Sequence, residues 1–157
     1  MFEALNNILQ IGGIGCIIFS ILIVIVGYTG MAAETRDEEG HFKKKLTWKS
    51  LLGFTLFIAF FIGLLYGGNI NLIHKLGNTP EFWLLCLNAF GIFLVVDLYD
   101  LIVLDYLIIV KWHPKFLKLP DTDYYNIMKP HLIGFIRGLP LGIIVSLMTS
   151  LAAYFLN

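Results

Sequence analysis

Four blocks of this chain are each apolar over a length that crosses a bilayer core of roughly 30 Å, and that decides its class before any motif is considered. They run over about residues 4–28, 51–68, 80–110 and 131–155. Only 14% of the 157 residues are charged and 58% are hydrophobic, where a soluble domain carries about 25% charged residues. The mean hydropathy is +0.81. The expected fold is therefore all-α: an integral membrane bundle of four transmembrane helices in a single domain.

The first block is expected to be a retained helix. Its apolar run exceeds the roughly 7 to 15 residues of a signal peptide core, and the residues before it include Glu3 but no Lys or Arg. The second block carries no charge and is flanked by Trp48 and Tyr66. The third opens at Thr79-Pro80-Glu81, where Thr offers a capping oxygen, Pro suits the first helical position and Glu complements the helix dipole. The fourth is expected to begin after Pro130. Asp121 is placed as the cap of a short interfacial helix that Pro130 ends.

Charge sets the orientation. The connection between the first two blocks contains Arg36, Lys43, Lys44, Lys45 and Lys49, and that between the last two contains Lys111, Lys115, Lys118 and Lys129. The remaining connection has only Lys75. The positive-inside rule then predicts both termini outside and the two basic loops in the cytoplasm, with Trp48 and Trp112 at the inner interface and Trp83 at the outer one. A bias of this kind suits a plasma (cell inner) membrane. The lysine cluster at 43–45 reads either as part of a solvated loop or as a contact with the anionic headgroups of membrane lipids.

Eleven basic residues balance eleven acidic ones, so no basic excess favours a nucleic-acid partner. Cys16 and Cys86 fall at different depths and form no C-x-x-C pair, which argues against a disulfide or a cysteine metal site. His41 and His74 lie in connections. His113 and His131 flank the second basic loop near Asp121, Asp123, Tyr124 and Tyr125 as interfacial candidates, but zinc sites need tighter spacing such as H-E-x-x-H. Both histidines sit at the membrane edge rather than in a core that would hold a haem, so no metal or other cofactor is expected. No G-x-S-x-G or phosphate loop is present either, and no catalytic residue is assigned.

The informative stretch is FLVVDLYDLIVLDYLIIV, where Asp97, Asp100 and Asp105 interrupt an apolar helix. Each carboxylate near the membrane centre costs roughly 2.5 to 3.5 kcal/mol on the insertion scale, so such groups normally face a partner or a wet cavity. At 100° per residue the three share one arc of about 140°, with Tyr99 and Tyr106 pointing away. Counting from the helix ends puts Asp105 and Arg137 both about 9 Å inside the cytoplasmic boundary, level and able to form a buried ion pair. Asp97 and Asp100 then lack a basic partner and are expected to share a proton or hold a cation. Gly134, Gly138 and Gly142, with Pro140, and Gly63 with Gly67 form small-residue stripes that permit close helix approach, within a bundle or between protomers of a homo-oligomer.

Three functional classes fit these features. The first is a small proton- or cation-coupled transporter or channel-like protein with Asp97 and Asp100 as the site and Asp105 with Arg137 as a gating or register pair. The second is an enzyme acting on a lipid or isoprenoid at the cytoplasmic face through Asp105, Arg137, His113 and His131. The third is a non-catalytic accessory subunit whose acidic arc completes a charge pair on a membrane protein partner.

Overall fold

The structure is a computed structural model that describes residues 1–31, 47–78, 80–117, 119 and 123–157. All regular structure among these residues is helical. Helix α1 covers Phe2–Tyr28, α2 Trp48–Leu76 and α3 Phe82–Tyr99. Without a break α3 becomes a π-wound segment, Asp100–Trp112. A 3₁₀ turn at Lys115–Leu117 and the single turn α4, Asp123–Asn126, lead into α5, Met128–Leu156. Helices α1, α2 and α5 are long and apolar enough to cross a membrane.

The helix ends follow local chemistry. Thr47 caps α2, its hydroxyl accepting from the Ser50 N–H at 3.2 Å. At the far end Gly77 takes the left-handed conformation (φ 70°) and closes the helix on the Ile73 carbonyl. This end lies beyond the sequence expectation, which stopped at Gly68. The helix continues because Asn69 and Asn71 find partners inside the bundle, and it carries His74 and Lys75 in its last turn rather than in a loop. Helix α3 starts at Phe82 with Glu81 as its cap residue, so Pro80 stands outside it; Thr79 lies outside the described residues. Helix α5 starts before Pro130, not after it. A proline in the first turn removes an N–H that has no helical partner anyway, and the break falls at extended Ile127. Asp121, His41 and the 43–45 lysine cluster lie outside the described residues.

Helices α2 and α3 touch each other, and each touches both α1 and α5. They form the short diagonal of the bundle, with α1 and α5 on opposite flanks. Leu65, Leu72, Leu85, Ile92 and Val96 are fully buried along that diagonal. Outward faces are apolar as well: Ile17 on α1 is 65% exposed and Met148 on α5 66%. Such surfaces fit a lipid solvent, because a soluble monomer rarely exposes continuous apolar patches. Trp48, Trp83 and Trp112 are exposed at helix ends.

Lipid provides no hydrophobic drive between helices, so close packing at small residues carries the association. Gly12 receives Val95, Gly15 receives Leu64 and Val96, Gly91 receives Ile8, and Gly142 receives the ring of Phe93. Of the two stripes seen in the sequence, only Gly142 serves this purpose; Gly63, Gly67 and Gly134 have nothing within 4 Å of an added Cβ. Aromatic side chains fill the remaining space, with Phe19 at 5.4 to 5.7 Å from Phe57, Phe60 and Phe61, and Phe61 at 5.3 Å from Phe93.

Gly142→Val should therefore destabilise the bundle by about 1–3 kcal/mol through overpacking against Phe93, whereas Gly63→Val should leave stability nearly unchanged. Thermal unfolding of the two variants in one detergent checks this.

Candidate functional site

Asp97 and Asp105 face α5. Asp97 lies on α3 with Oδ1 3.9 Å from the position a Cβ would take at Gly138. Its Oδ2 is buried and has no hydrogen-bond partner. Asp100 is half-buried one turn on, at the start of the π-wound segment. Tyr99 points away toward α1, where its hydroxyl meets Ser20 Oγ at 2.9 Å.

The π winding alters the geometry that an α-helical count implies. It bonds each N–H five residues back rather than four, so each turn takes in more residues; the last such bond runs from His113 N–H to the Ile108 carbonyl at 2.9 Å. Residues five apart come nearly onto one face. Asp100 and Asp105 are therefore aligned more closely than 100° per residue would place them. The segment ends at His113, which adopts a left-handed conformation (φ 46°) ahead of Pro114.

Asp105 pairs with His131 and not with Arg137. Its Oδ1 lies 2.9 Å from His131 Nδ1, with the two side chains 18% and 5% exposed. The expected depth match fails for two reasons. More residues per turn shorten the rise of the π-wound segment, and α5 begins a turn earlier than the sequence suggested. Arg137 is consequently level with Asp97, beside Gly138, but it sits on the outward face of α5 and is exposed. Among the described residues neither Asp97 nor Asp100 has a basic partner. His113 is half-buried, with an Nδ1 that finds no partner, and the side chains of Asp123 and Tyr124 are not described. Among the described residues, no three His, Cys, Asp or Glu side chains converge as metal ligands.

A second polar layer, which charge-based reasoning missed, lies at the opposite end of the bundle. Asn7 Nδ2 donates to Asn88 Oδ1 and to the Gly68 carbonyl, both at 2.9 Å. Its Oδ1 accepts from Asn71 Nδ2 at 2.6 Å and from Lys75 Nζ at 3.4 Å. Asn88 Nδ2 continues to Asn69 Oδ1 at 2.9 Å, and Asn69 Nδ2 to Ser150 Oγ at 3.0 Å. Lys75 also donates to Gln10 Oε1 at 2.8 Å. The chain of bonds joins α1, α2, α3 and α5, and Asn7, Asn69, Asn88 and Ser150 are all fully buried. Two donors and two acceptor positions exhaust what an amide offers, so Asn7 is saturated. The layer is a clamp rather than an open site. Its signal in the sequence was amide side chains inside apolar blocks, which bond across membrane helices much as serines do.

Between the two layers sits an apolar plug of Leu65, Ala89, Ile92 and Phe93, with Phe93 seated on Gly142. Compared with known protein families, with curated proteins and with solved structures, the chain matches none.

Replacing Asn88 by Ala would leave the Asn7 N–H and the Asn69 carbonyl unbonded in the core. At about 0.6 kcal/mol for each of two average interhelical hydrogen bonds, rising to about 1–3 kcal/mol for each of the two buried groups left unsatisfied, the expected loss is on the order of 1–6 kcal/mol. Unfolding of Asn88→Ala against wild type, in detergent of fixed composition, measures it.

Proposed function

We propose that this chain is a small polytopic membrane protein that moves protons or cations, with Asp97 and Asp100 as its intramembrane site. In this reading α3 and its π-wound continuation make the fourth crossing beside α1, α2 and α5. Both termini lie outside, and the basic connections face the cytoplasm of a plasma membrane. The observation that carries the proposal is Asp97: a carboxylate with a buried, unbonded oxygen, one turn from Asp100, with no ion pair to either among the described residues. Such groups are expensive in a membrane and mark ion or proton pathways.

The surroundings support the same reading. Asp105 and His131 continue the line of titratable groups toward the basic end of the bundle, and a carboxylate beside an imidazole is a competent proton donor–acceptor pair. The Phe93 plug would separate this half from the amide layer, so movement of Phe93 out of its Gly142 seat would open a path. The apolar groove of about 320 Å³ that includes Gly63 and Gly67 supports a homo-oligomer, since it leaves close-approach positions unfilled on the outer surface.

Flux in proteoliposomes tests the proposal. Wild-type protein should carry protons above the level of empty vesicles, and Asp97→Asn or Asp100→Asn should lower the rate at least tenfold. Undiminished flux in both variants would refute the site.

A second reading, an enzyme acting on a lipid or isoprenoid at the cytoplasmic face, is favoured by the Asp105–His131 contact, because a carboxylate that orients an imidazole is the usual arrangement of a general base. Turnover of a headgroup substrate that persists in Asp97→Asn and vanishes in His131→Ala would select it.

A further inference from the structure

Arg137 is exposed, unlike Asp97, Asp100 and Asp105. It lies on a helix long and apolar enough to cross a membrane, six residues beyond His131 and so about 9 Å further along the axis. It is exposed on the outer face and is bonded to no acidic side chain of the chain among the described residues. Its neighbours on that face, Ile133, Leu141, Ile144 and Met148, are all exposed and all apolar. A guanidinium left bare in hydrocarbon is costly, and long basic side chains relieve the cost by reaching toward the interface.

The route for that reach is open. Gly134 precedes Arg137 by three residues on the same face, and nothing lies within 4 Å of the space a side chain there would fill. The guanidinium can extend over Gly134 toward the Met128 end of the helix. In the other direction the apolar strip from Leu141 to Met148 continues for about two turns.

We infer that Arg137 and this strip form a binding site for one glycerophospholipid, the phosphodiester held by the guanidinium over Gly134 and an acyl chain laid along Leu141, Ile144 and Met148. Charge complementarity selects the occupant. Planar donors of arginine match phosphate oxygens in a two-pronged contact, and a second copy of the chain offers no fully exposed carboxylate at that level, since Asp97, Asp100 and Asp105 are all partly buried. The site is independent of ion movement and of which leaflet the Met128 end faces. Its role is to anchor α5, the helix against which Asp97 and Asp105 rest.

The test uses delipidated full-length protein in an uncharged detergent, titrated with phosphatidylglycerol and read by native mass spectrometry. Wild type should retain one phospholipid per chain. Arg137→Gln should bind it at least tenfold more weakly, while Lys129→Gln, which removes a charge in the first turn of the same helix, should bind it as wild type does. Gly134→Leu, which the fold has room for, should also weaken retention by obstructing the guanidinium. Diacylglycerol with the same chains but no phosphate should bind wild type no better than Arg137→Gln. Equal retention of phosphatidylglycerol by wild type and Arg137→Gln overturns the site. So does retention of diacylglycerol equal to that of the phospholipid, or an Arg137→Gln change that only converts a dimer to a monomer.

Discussion

A polar group inside a membrane-spanning bundle has no water to fall back on, and its desolvation costs several kcal/mol unless protein atoms replace the lost hydrogen bonds. The polar residues of this chain meet that constraint in different ways. The amides of Asn7, Asn69 and Asn88 consume one another's donors and acceptors across four helices. Asp105 takes the His131 imidazole. Arg137 leaves the interior altogether. Asp97 keeps a buried oxygen with no hydrogen-bond partner among the described residues.

Helix register follows from the packing of α3. Since helices in lipid associate through contact rather than through expulsion of water, the depth at which one helix stops sliding past another is set by where a large side chain meets a small one. Phe93 against Gly142, Val95 against Gly12 and Ile8 against Gly91 are such stops. The Phe93 contact puts Asp97 beside Gly138 and carries Asp105 down to His131. The amide clamp at the other end holds the same register from the opposite direction. The acidic arc is thus positioned by contacts that lie outside it.

The π-wound segment gives the acidic helix a second consequence. Wider winding is uncommon in proteins and occurs often at functional sites. Here it begins at Asp100 and includes Asp105, so it draws two carboxylates toward one face while shortening the distance between them along the axis. An α-helix of the same sequence would spread them about 140° apart. The winding thereby brings Asp100 and Asp105 closer to one side of the helix, the side on which Asp105 meets α5.

Much of this was determined by the sequence. Apolar runs of membrane length, basic residues gathered in two connections and tryptophans beside them follow from composition along the chain, because partition into lipid depends on local hydrophobicity and not on neighbours in space. The presence of Asp97, Asp100 and Asp105 on an apolar helix was equally plain. Tertiary structure decided what those residues meet. The pairing of Asp105 with His131 instead of Arg137 rests on helix ends shifted by about a turn and on a winding that local propensity does not announce. The length of α2 depended on partners for Asn69 and Asn71 that lie on other helices. Whether a polar side chain inside a membrane faces a partner, an empty site or the lipid is a question of register and rotation, and those are fixed only when whole helix surfaces pack together.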